Sequence, residues 1–346
     1  MAQPVPAPEP GANHLIRPEE GVSRVTDDIV VLSCPVPFDV GSVNVYLLLG
    51  DPLTLIDTGS RINFTIDDLE DLIWRAGVDP SDIEQLILTH RHIDHFGLGQ
   101  DVRERTGARV VSSTRDGPFM AEWEGMISES RSQLQHQGVA FGIPEDLFAL
   151  NERWVRAIVH AAAPVKSDHL VQEGDIVRAG GRDLRVIETP GHTEGLIGFV
   201  DEEAGIYLAN DHVLKHITPN PDVYSYDPDD LRSGLPDYVR SLRKVRDLPV
   251  DLVLPGHGYE MTDLPGRVDE ILLHHEHRVA RIESILRAQP RTIFEVCGMI
   301  WPSLRPQDSH LAVREIIGHI ALLKEERRPI ERTTRADGAL FWSMAG

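Results

Sequence analysis

Apolar residues along the chain follow two alternating patterns. Short apolar runs bounded by proline or glycine predict buried strands, and the first three such runs cover residues 28–34, 44–50 and 54–57. Residues 64–77 instead place apolar side chains every three or four positions and end at Gly77, which predicts a helix. QLILTH, GLGQDVRERTG and ARVVSS then have the patterns of a strand, a helix and a strand. This alternation predicts a layered α/β domain.

The middle of the chain breaks this rhythm. From about residue 114 to about residue 168, helical patterns follow one another with few strand signals, which predicts a helical insert. Strand-like runs return at residues 183–190, 196–201 and 205–210. We therefore assign residues 21–290 to one large domain that contains the insert.

The two ends of the chain differ from this domain. Residues 1–20 are rich in proline, alanine and glutamate, which bury too little apolar surface to fold alone, so we expect a disordered arm. Residues 291–346 show two helical patterns and then a hairpin pattern with its turn near Asp337 and Gly338. Helix, helix and hairpin in this order predict a small winged-helix-like C-terminal module.

Charge and cysteine content narrow the classes of function. The formal net charge of -21 over 346 residues makes a surface that repels phosphate backbones and anionic lipids, so nucleic acid and membranes are disfavoured as partners. Cys34 and Cys297 are far apart, which argues against a disulfide framework and fits a reducing compartment. No secretion-signal pattern and no apolar run of about 20 residues is present, so we expect a cytoplasmic protein.

The stretch THRHIDHFG, residues 89–97, carries the strongest chemical signal. It follows a predicted strand and places His90, His92, Asp94 and His95 within six positions. Imidazole and carboxylate are the ligands that suit zinc and related metal ions, and four of them exceed what one tetrahedral ion with a bound water needs. Three further candidate ligands also follow predicted strands, namely His192, Asp211 and His257.

With these motifs in this order, the chain resembles the metallo-β-lactamase-fold hydrolase superfamily. The resemblance runs from about residue 25 to about residue 290 through LIDTG, THRHIDH, PGHT, Asp211 and PGHG. It implies an αββα sandwich with a dinuclear site at one edge. One departure is Asn210, because the family usually has glycine before the bridging aspartate.

The resemblance also implies which residues bind each metal ion. His90, His92 and His192 hold one metal, Asp94, His95 and His257 hold the other, and Asp211 bridges them. Asp57 orients the site from behind. The cofactors are then two divalent metal ions, with zinc as the first choice and iron or manganese as alternatives. Two such ions would make a hydroxide available at neutral pH, and our hypothesis is that Asp94 relays a proton to the leaving group.

The resemblance leaves three reactions open. The first is hydrolysis of a thioester, ester or lactone of a small or carrier-bound acyl group, as in glyoxalase II-like thioesterases. The second is an RNase-like cleavage of nucleic-acid phosphodiesters, and a lower alternative is an iron-dependent sulfur dioxygenase. The C-terminal module resembles an extension found in a lactamase-like branch with a mitochondrial endoribonuclease and fungal polyketide thioesterases. Its residues 291–346 carry eight basic and seven acidic side chains, so we favour packing or homo-oligomerisation over nucleic-acid binding.

Two groups of side chains are candidates for contact with substrate. Lys215, His216, Tyr224 and Tyr226 follow the bridging aspartate, and the tyrosines could donate to a developing oxyanion. Apolar residues of the insert could line an acyl site, namely Phe119, Met120, Trp123 and Met126.

Overall fold

The computed structural model describes residues 14–37, 40–147, 150 and 158–345. Two β-sheets share a core, and helices cover the outer face of each sheet. The expected αββα arrangement is confirmed. Among the described residues, no helix is both long and apolar enough to cross a membrane.

The first sheet has seven strands in the order β1 to β7. They are β1 Val22–Arg24, β2 Ile29–Pro35, β3 Ser42–Leu48, β4 Thr54–Ile56, β5 Gln85–Leu88, β6 Arg109–Ser113 and β7 His169–Val171. Strands β1 to β4 pair antiparallel, whereas β4 to β7 pair parallel. Because parallel strands end on the same side, the loops after β4, β5 and β6 meet at one edge of the sheet.

The second sheet has five strands in the order β14-β11-β10-β9-β8. They are β8 Ile176–Ala179, β9 Arg182–Glu188, β10 Ile197–Asp201, β11 Ile206–Asn210 and β14 Leu252–Pro255. Strands β11 and β14 are parallel, and the other pairs are antiparallel. Between them in sequence, β12 Val223–Ser225 and β13 Arg232–Ser233 form a separate two-stranded sheet.

Helices cover the sheets and form the C-terminal module. Before β7 they are α1 Ile66–Arg75, α2 Ile93–Phe96, α3 Gly99–Thr106, α4 Asp116–Ala121 and α5 Trp123–Phe141. After β13 they are α6 Leu235–Val245, α7 Leu264–Ala288, α8 Ile293–Ile300 and α9 Ser309–Glu325. Helix α1 begins with a capping box between Thr65 and Asp68, and α8 begins with one between Thr292 and Glu295.

Three apolar cores are present: one lies between the two sheets, and one lies under the helices on the outer face of each sheet. Alternate residues of β2 show the division, since Ile29 and Val31 lie in the core between the sheets while Val30 and Leu32 lie under the helices of the first sheet. The third core joins the outer face of the second sheet to α6, α7 and the C-terminal module.

The C-terminal module has the predicted order of elements, with α8 and α9 followed by the hairpin of β15 Ile330–Thr334 and β16 Leu340–Met344. Its winged-helix character stays a prediction. Ile316 and Ile320 of α9 lie in the same core as Leu242 of α6 and Ile271 of α7. The module is therefore packed directly onto the second sheet's helical layer.

The expectations for the N-terminal arm and for the helical insert can each be compared with the structure only in part. The prediction of a disordered arm was wrong for residues 14–20, because Ile16 is fully buried and the Leu15 and Ile16 amides donate to the Glu260 carboxylate at 2.9 and 3.0 Å. Residues 1–13 lie outside the described part. The insert is helical in α4 and α5, while residues 148–149 and 151–157 and the side chains of residues 129–137 lie outside the description.

Candidate metal centre

Strand ends from both sheets bring the predicted ligands to one edge of the sandwich. In the first sheet, Asp57 follows β4 and the stretch 89–97 follows β5. In the second sheet, three ligands follow strands, namely His192 after β9, Asp211 after β11 and His257 after β14. The stretch 89–97 is only partly a loop, because Asp94 and His95 lie within the single turn of α2. The His95 ring still lies close to the His90 ring, with ring centres 4.1 Å apart.

The seven predicted ligands form two groups. In each group every residue offers a ligand atom, and these atoms lie within 4.8 Å of one another. We call His90, His92, His192 and Asp211 the three-histidine cluster. We call Asp94, His95 and His257 the Asp94 cluster. The six residues other than Asp211 are divided between the groups as the resemblance implied, and Asp211, implied as the bridge, falls in the first group.

Hydrogen bonds orient the imidazoles. In four of the imidazoles Nδ1 faces an acceptor that has no proton of its own to give, so Nδ1 carries a proton and Nε2 is the nitrogen available to a metal ion. Those acceptors are Thr89 Oγ1 for His90 at 3.0 Å, Asp57 Oδ2 for His95 at 2.8 Å, Asn220 O for His192 at 2.9 Å and Ser42 O for His257 at 2.8 Å. Thr89 Oγ1 is an acceptor here because it gives its own proton to Asp57 at 2.8 Å.

The three-histidine cluster packs nitrogens against one another. His92 Nδ1 lies 3.1 Å from His90 Nε2 and 2.8 Å from His192 Nε2. One N–H on His92 can serve only one of these two lone pairs. The separations resemble the edge of a tetrahedron of metal ligands, about 3.3 Å for metal–nitrogen bonds of roughly 2.05 Å. The donor set therefore fits a metal ion.

One carboxylate oxygen of the three-histidine cluster, Asp211 Oδ2, also faces the Asp94 cluster. Asp211 Oδ2 is 3.3 Å from His192 Nε2 and 3.9 Å from His90 Nε2 on one side. On the other side it is 3.4 Å from His95 Nε2 and 3.5 Å from His257 Nε2. His257 Nε2 also lies 3.4 Å from Asp94 Oδ2. A shared carboxylate is the arrangement that holds two cations side by side.

Two further features of this structure agree with metal binding. His95 Nε2 and Asp211 Oδ1 are buried without a hydrogen-bond partner among the described residues, which is costly unless another group binds them. A Cβ at Gly256 would lie 2.1 Å from Asp211 Oδ1 and 3.0 Å from His95 Cε1. The glycine therefore leaves the room that the carboxylate occupies.

The pKa values show which side chains of the site carry charge in the absence of metal ions. Burial lowers the pKa of His90 well below its usual value, and burial together with His192 lowers the pKa of His92 to about 3. Burial opposes charge on Asp94, yet His95 and His257 hold its pKa at about 2. Burial also opposes protonation of His257, but Asp211 and Asp94 raise its pKa to about 10. The carboxylates are thus ionised and demand positive charge, which metal ions can supply in place of imidazolium protons.

Backbone strain occurs beside the ligands. Asp57 and Asn210 have positive φ values of 65° and 47°. Asparagine and aspartate enter this region more easily than other residues with a side chain. The Asn210 amide also donates to Ile197 O at 2.9 Å. Asn210 therefore adopts the positive φ at this bend, where the family commonly has glycine.

Sequence reasoning missed a charged network behind the clusters. Arg91, between two ligands, donates from its backbone and side chain to Asp116 at 3.0 and 2.7 Å. Asp116 also accepts from Thr193 Oγ1 at 2.6 Å, so it joins the loop of His90 to the loop of His192. Arg91 contacts Asp222 as well. The positions of Asp116 just after β6 and of Arg91 inside the motif were the available signals.

The predicted substrate residues have different surroundings. Tyr226 is buried, lies in the third core and accepts from Arg314 Nε at 3.2 Å, so it has the contacts of a packing residue. Tyr224 is partly exposed, although its hydroxyl is buried without a partner among the described residues. Lys215 and His216 are partly exposed, and the ring of His216 lies 6.3 Å from that of Tyr259.

The apolar residues of the insert also separate. Met120 and Trp123 are buried in the core beneath the first sheet's helices, and Trp123 packs edge-on against Phe96 at 5.1 Å. Phe119 and Met126 are partly exposed, and the Arg91 guanidinium lies 4.5 Å from the centre of the Phe119 ring. Phe119 therefore lies beside the residue between His90 and His92.

A third group with ligand atoms within 4.8 Å consists of His274, His275 and Glu315. It lies between α7 and α9 and shares no residue with the two clusters. The Arg278 guanidinium acts electrostatically on both His275 and Glu315, which disfavours a cation there. We leave this group out of the site.

Comparison with known proteins decides the family. The model of the Metallo-beta-lactamase superfamily matches residues 38–257, a span that contains all seven ligands. The chain belongs to the metallo-beta-lactamase superfamily. Membership and the two clusters together make it a metal-dependent hydrolase with candidate metal-binding residues.

Relatives of this superfamily member span most of its length. It is 30% identical over 302 residues to the probable metallo-hydrolase YqjP of Bacillus subtilis (strain 168), covering 87% of this chain and 93% of that one. It is 25% identical to the hydroxyacylglutathione hydrolase GloC of Haemophilus influenzae, covering 59% of this chain and 79% of that one. The crystal structure of a metallo-beta-lactamase family protein from Thermus thermophilus matches with a TM-score of 0.78 and 27% identity, over 93% of this chain and 100% of that one.

Proposed function

We propose that this superfamily member is a dinuclear zinc hydrolase that cleaves a thioester, ester or lactone of a small or carrier-bound acyl group. The observation that carries the proposal is the position of Asp211 Oδ2, which lies 3.3 to 3.9 Å from four imidazole nitrogens. A single carboxylate oxygen shared in this way supports two adjacent cations. His90, His92 and His192 would hold one, and Asp94, His95 and His257 the other.

Metal ions bound here would lower the pKa of a water molecule and polarise the substrate carbonyl. The protein groups fix the rest of the reaction. Hydrogen bonds to Asp57, Thr89, Asn220 and Ser42 orient four of the imidazoles through Nδ1, so their Nε2 atoms would face the metal ions. In a thioester, the water oxygen bonds to the carbonyl carbon and the carbon–sulfur bond breaks. We assign Asp94 the transfer of the proton from water to the departing sulfur.

Two observations favour an acyl substrate over a phosphodiester. The chain carries a net charge of -21, and the Arg91 guanidinium is already bound to Asp116 and Asp222. A nucleic-acid groove needs free basic side chains along the backbone path. Phe119 next to Arg91 offers instead a partly exposed aromatic surface for an acyl chain. The similarity to a hydroxyacylglutathione hydrolase supports the same substrate class.

A substrate panel on protein with counted metals tests the proposal. The panel contains acyl-coenzyme A and glutathione thioesters, lactones and bis-p-nitrophenyl phosphate, and metals are counted by mass spectrometry. We expect two zinc ions per chain and the highest kcat/KM on a thioester or lactone. Dominant phosphodiester turnover would overturn the acyl assignment, and one iron with no hydrolysis would favour the oxygenase alternative.

The role of Asp94 has its own test. Asp94→Asn keeps an oxygen at the same position but cannot hold a proton at neutral pH. We expect kcat to fall by about 10²–10⁴-fold, the range for general acid–base catalysis, with two metals still bound. Unchanged kcat at full metal occupancy would show that Asp94 only binds metal. Asp247→Asn is the matched control, because the Asp247 side chain is 78% exposed.

A further inference from the structure

The C-terminal module is linked to the three-histidine cluster by a short loop. This loop, residues 218–222, lies between β11 and β12, and helix α9 of the module packs against it. Three separate contacts join the helix to the loop. Two of them continue through the loop to metal ligands or to the residue between two ligands.

The first contact runs through Asn220. Its backbone carbonyl accepts from His192 Nδ1 at 2.9 Å, which leaves His192 Nε2 free for the cluster. Its side-chain amide donates to Leu311 O of α9 at 3.1 Å. One residue therefore ties the orientation of His192 to the first turn of a helix about 120 residues away in sequence.

The second contact runs through Asp222. This buried carboxylate binds the guanidinium of Arg91, which stands between His90 and His92. Its other oxygen lies 3.7 Å from Arg314 NH2 of α9, and Arg314 Nε donates to Tyr226 OH at 3.2 Å. The Asp222 amide donates to Gly191 O at 2.9 Å, one residue before His192. Arg314 thus lies near the carboxylate that binds Arg91, on a residue whose backbone amide binds the loop of His192.

The third contact is steric. A Cβ at Gly318 of α9 would lie 3.1 Å from Pro221 Cγ and 3.0 Å from Leu235 Cβ. Glycine here lets the helix approach the loop closely. The residues on either side of Pro221 can then reach the helix: Asn220 binds Leu311 O, and Asp222 lies near Arg314. The close approach is a property of the helix–loop interface and not of the metal ligands.

We propose that α9 of the C-terminal module positions the three-histidine cluster, with Asn220 and Arg314 as positioning residues for His192 and for the loop of His90 and His92. The inference rests on the proposed function only to the extent that this cluster binds a metal. The Asp94 cluster is held from elsewhere, since its imidazoles donate to Asp57 and Ser42. Loss of the α9 contacts should therefore weaken one metal site and leave the other.

Zinc titration of the full chain tests this division. Arg314→Ala and Asn220→Ala are placed in two backgrounds: His257→Ala, which disables the Asp94 cluster, and His92→Ala, which disables the three-histidine cluster. Zinc affinity is measured by competition with a chromophoric chelator. We expect either variant to weaken zinc binding about 10–100-fold in the His257→Ala background and by less than about twofold in the His92→Ala background. Arg287→Ala, an exposed arginine on α7, is the control and should change neither affinity.

Further readouts separate positioning from general destabilisation. Arg314→Lys keeps a positive charge near Asp222, so it should recover part of the lost affinity. Circular dichroism and the unfolding midpoint of the metal-free protein report whether each variant folds. Equal weakening of both clusters, or unchanged affinity in the His257→Ala background for a folded variant, would overturn the proposal. If the parent protein binds two zinc ions but hydrolyses no substrate of the panel, the proposed function fails while this titration still decides the role of α9.

Discussion

The two clusters of the metal centre use similar ligands but are supported by different parts of the molecule. His257 of the Asp94 cluster donates to Ser42 O, and the Asn44 amide beside it in β3 binds the carbonyls of Pro255 and Gly258 at 2.9 and 3.0 Å. His192 of the three-histidine cluster donates to Asn220, whose amide binds α9. His257 is thus tied to the first sheet and His192 to the C-terminal module, whereas Asp57 supports His95 directly and His90 through Thr89.

Because their supports differ, the metal affinities of the two clusters should respond differently to substitutions of the residues that hold the ligands. Support from β3 is part of the inter-sheet packing, which most of the fold depends on. Support from α9 depends on one helix–loop interface. We therefore expect the affinity of the three-histidine cluster to be the more easily altered of the two. Asp211 is the residue for which the two clusters should respond together.

The largest expected effect is at this shared residue. Asp211→Asn removes the charge that lies between four imidazoles, so metal binding should weaken in both clusters. We expect kcat/KM to fall at least about a thousandfold, or about 4 kcal/mol in transition-state free energy. Metal content per chain and steady-state kinetics measure it. Loss of only one metal would assign Asp211 to a single cluster and break the comparison.

A smaller and one-sided effect is expected at Asn44. This side chain is buried, and Asn44→Ala leaves Gly258 O without its donor, while Pro255 O keeps the hydroxyl of Tyr46 at 2.6 Å. We expect a loss of about 1–3 kcal/mol in the free energy of unfolding, from denaturant titration. Zinc binding should weaken about tenfold in the Asp94 cluster only. Asn220→Ala is the same substitution on the opposite side and should show the reverse selectivity.

The smallest effect concerns the substrate side of the three-histidine cluster. Phe119→Ala removes the partly exposed ring beside Arg91 without touching a ligand. If the ring contacts an acyl chain, KM for a long-chain thioester should rise about fivefold, or about 1 kcal/mol, with kcat and metal content unchanged. An acetyl thioester serves as the control and should show little change. Equal loss on both substrates would place the acyl chain elsewhere.

Much of the fold was predictable because its strands are short apolar runs. The runs that became β2, β3, β4, β5, β6, β9, β10, β11 and β14 were recognised within a few residues. The runs missed were β1, β7, β8, β12 and β13, each two to four residues long. Such strands carry little local signal, and β8 alternates exposed and buried positions over only four residues. Their pairing is set by neighbouring strands, which the local pattern does not show.

The sequence by itself identified the candidate ligands of the metal centre and, through the resemblance, their expected division. Histidine and aspartate directly after apolar runs indicate metal chemistry at strand ends, whatever the details of packing. The tertiary structure adds what holds these side chains in place. The supporting contacts of Asn220 and Arg314 join segments far apart in the chain. Such contacts have no local signature, because they arise only when the layers pack against one another.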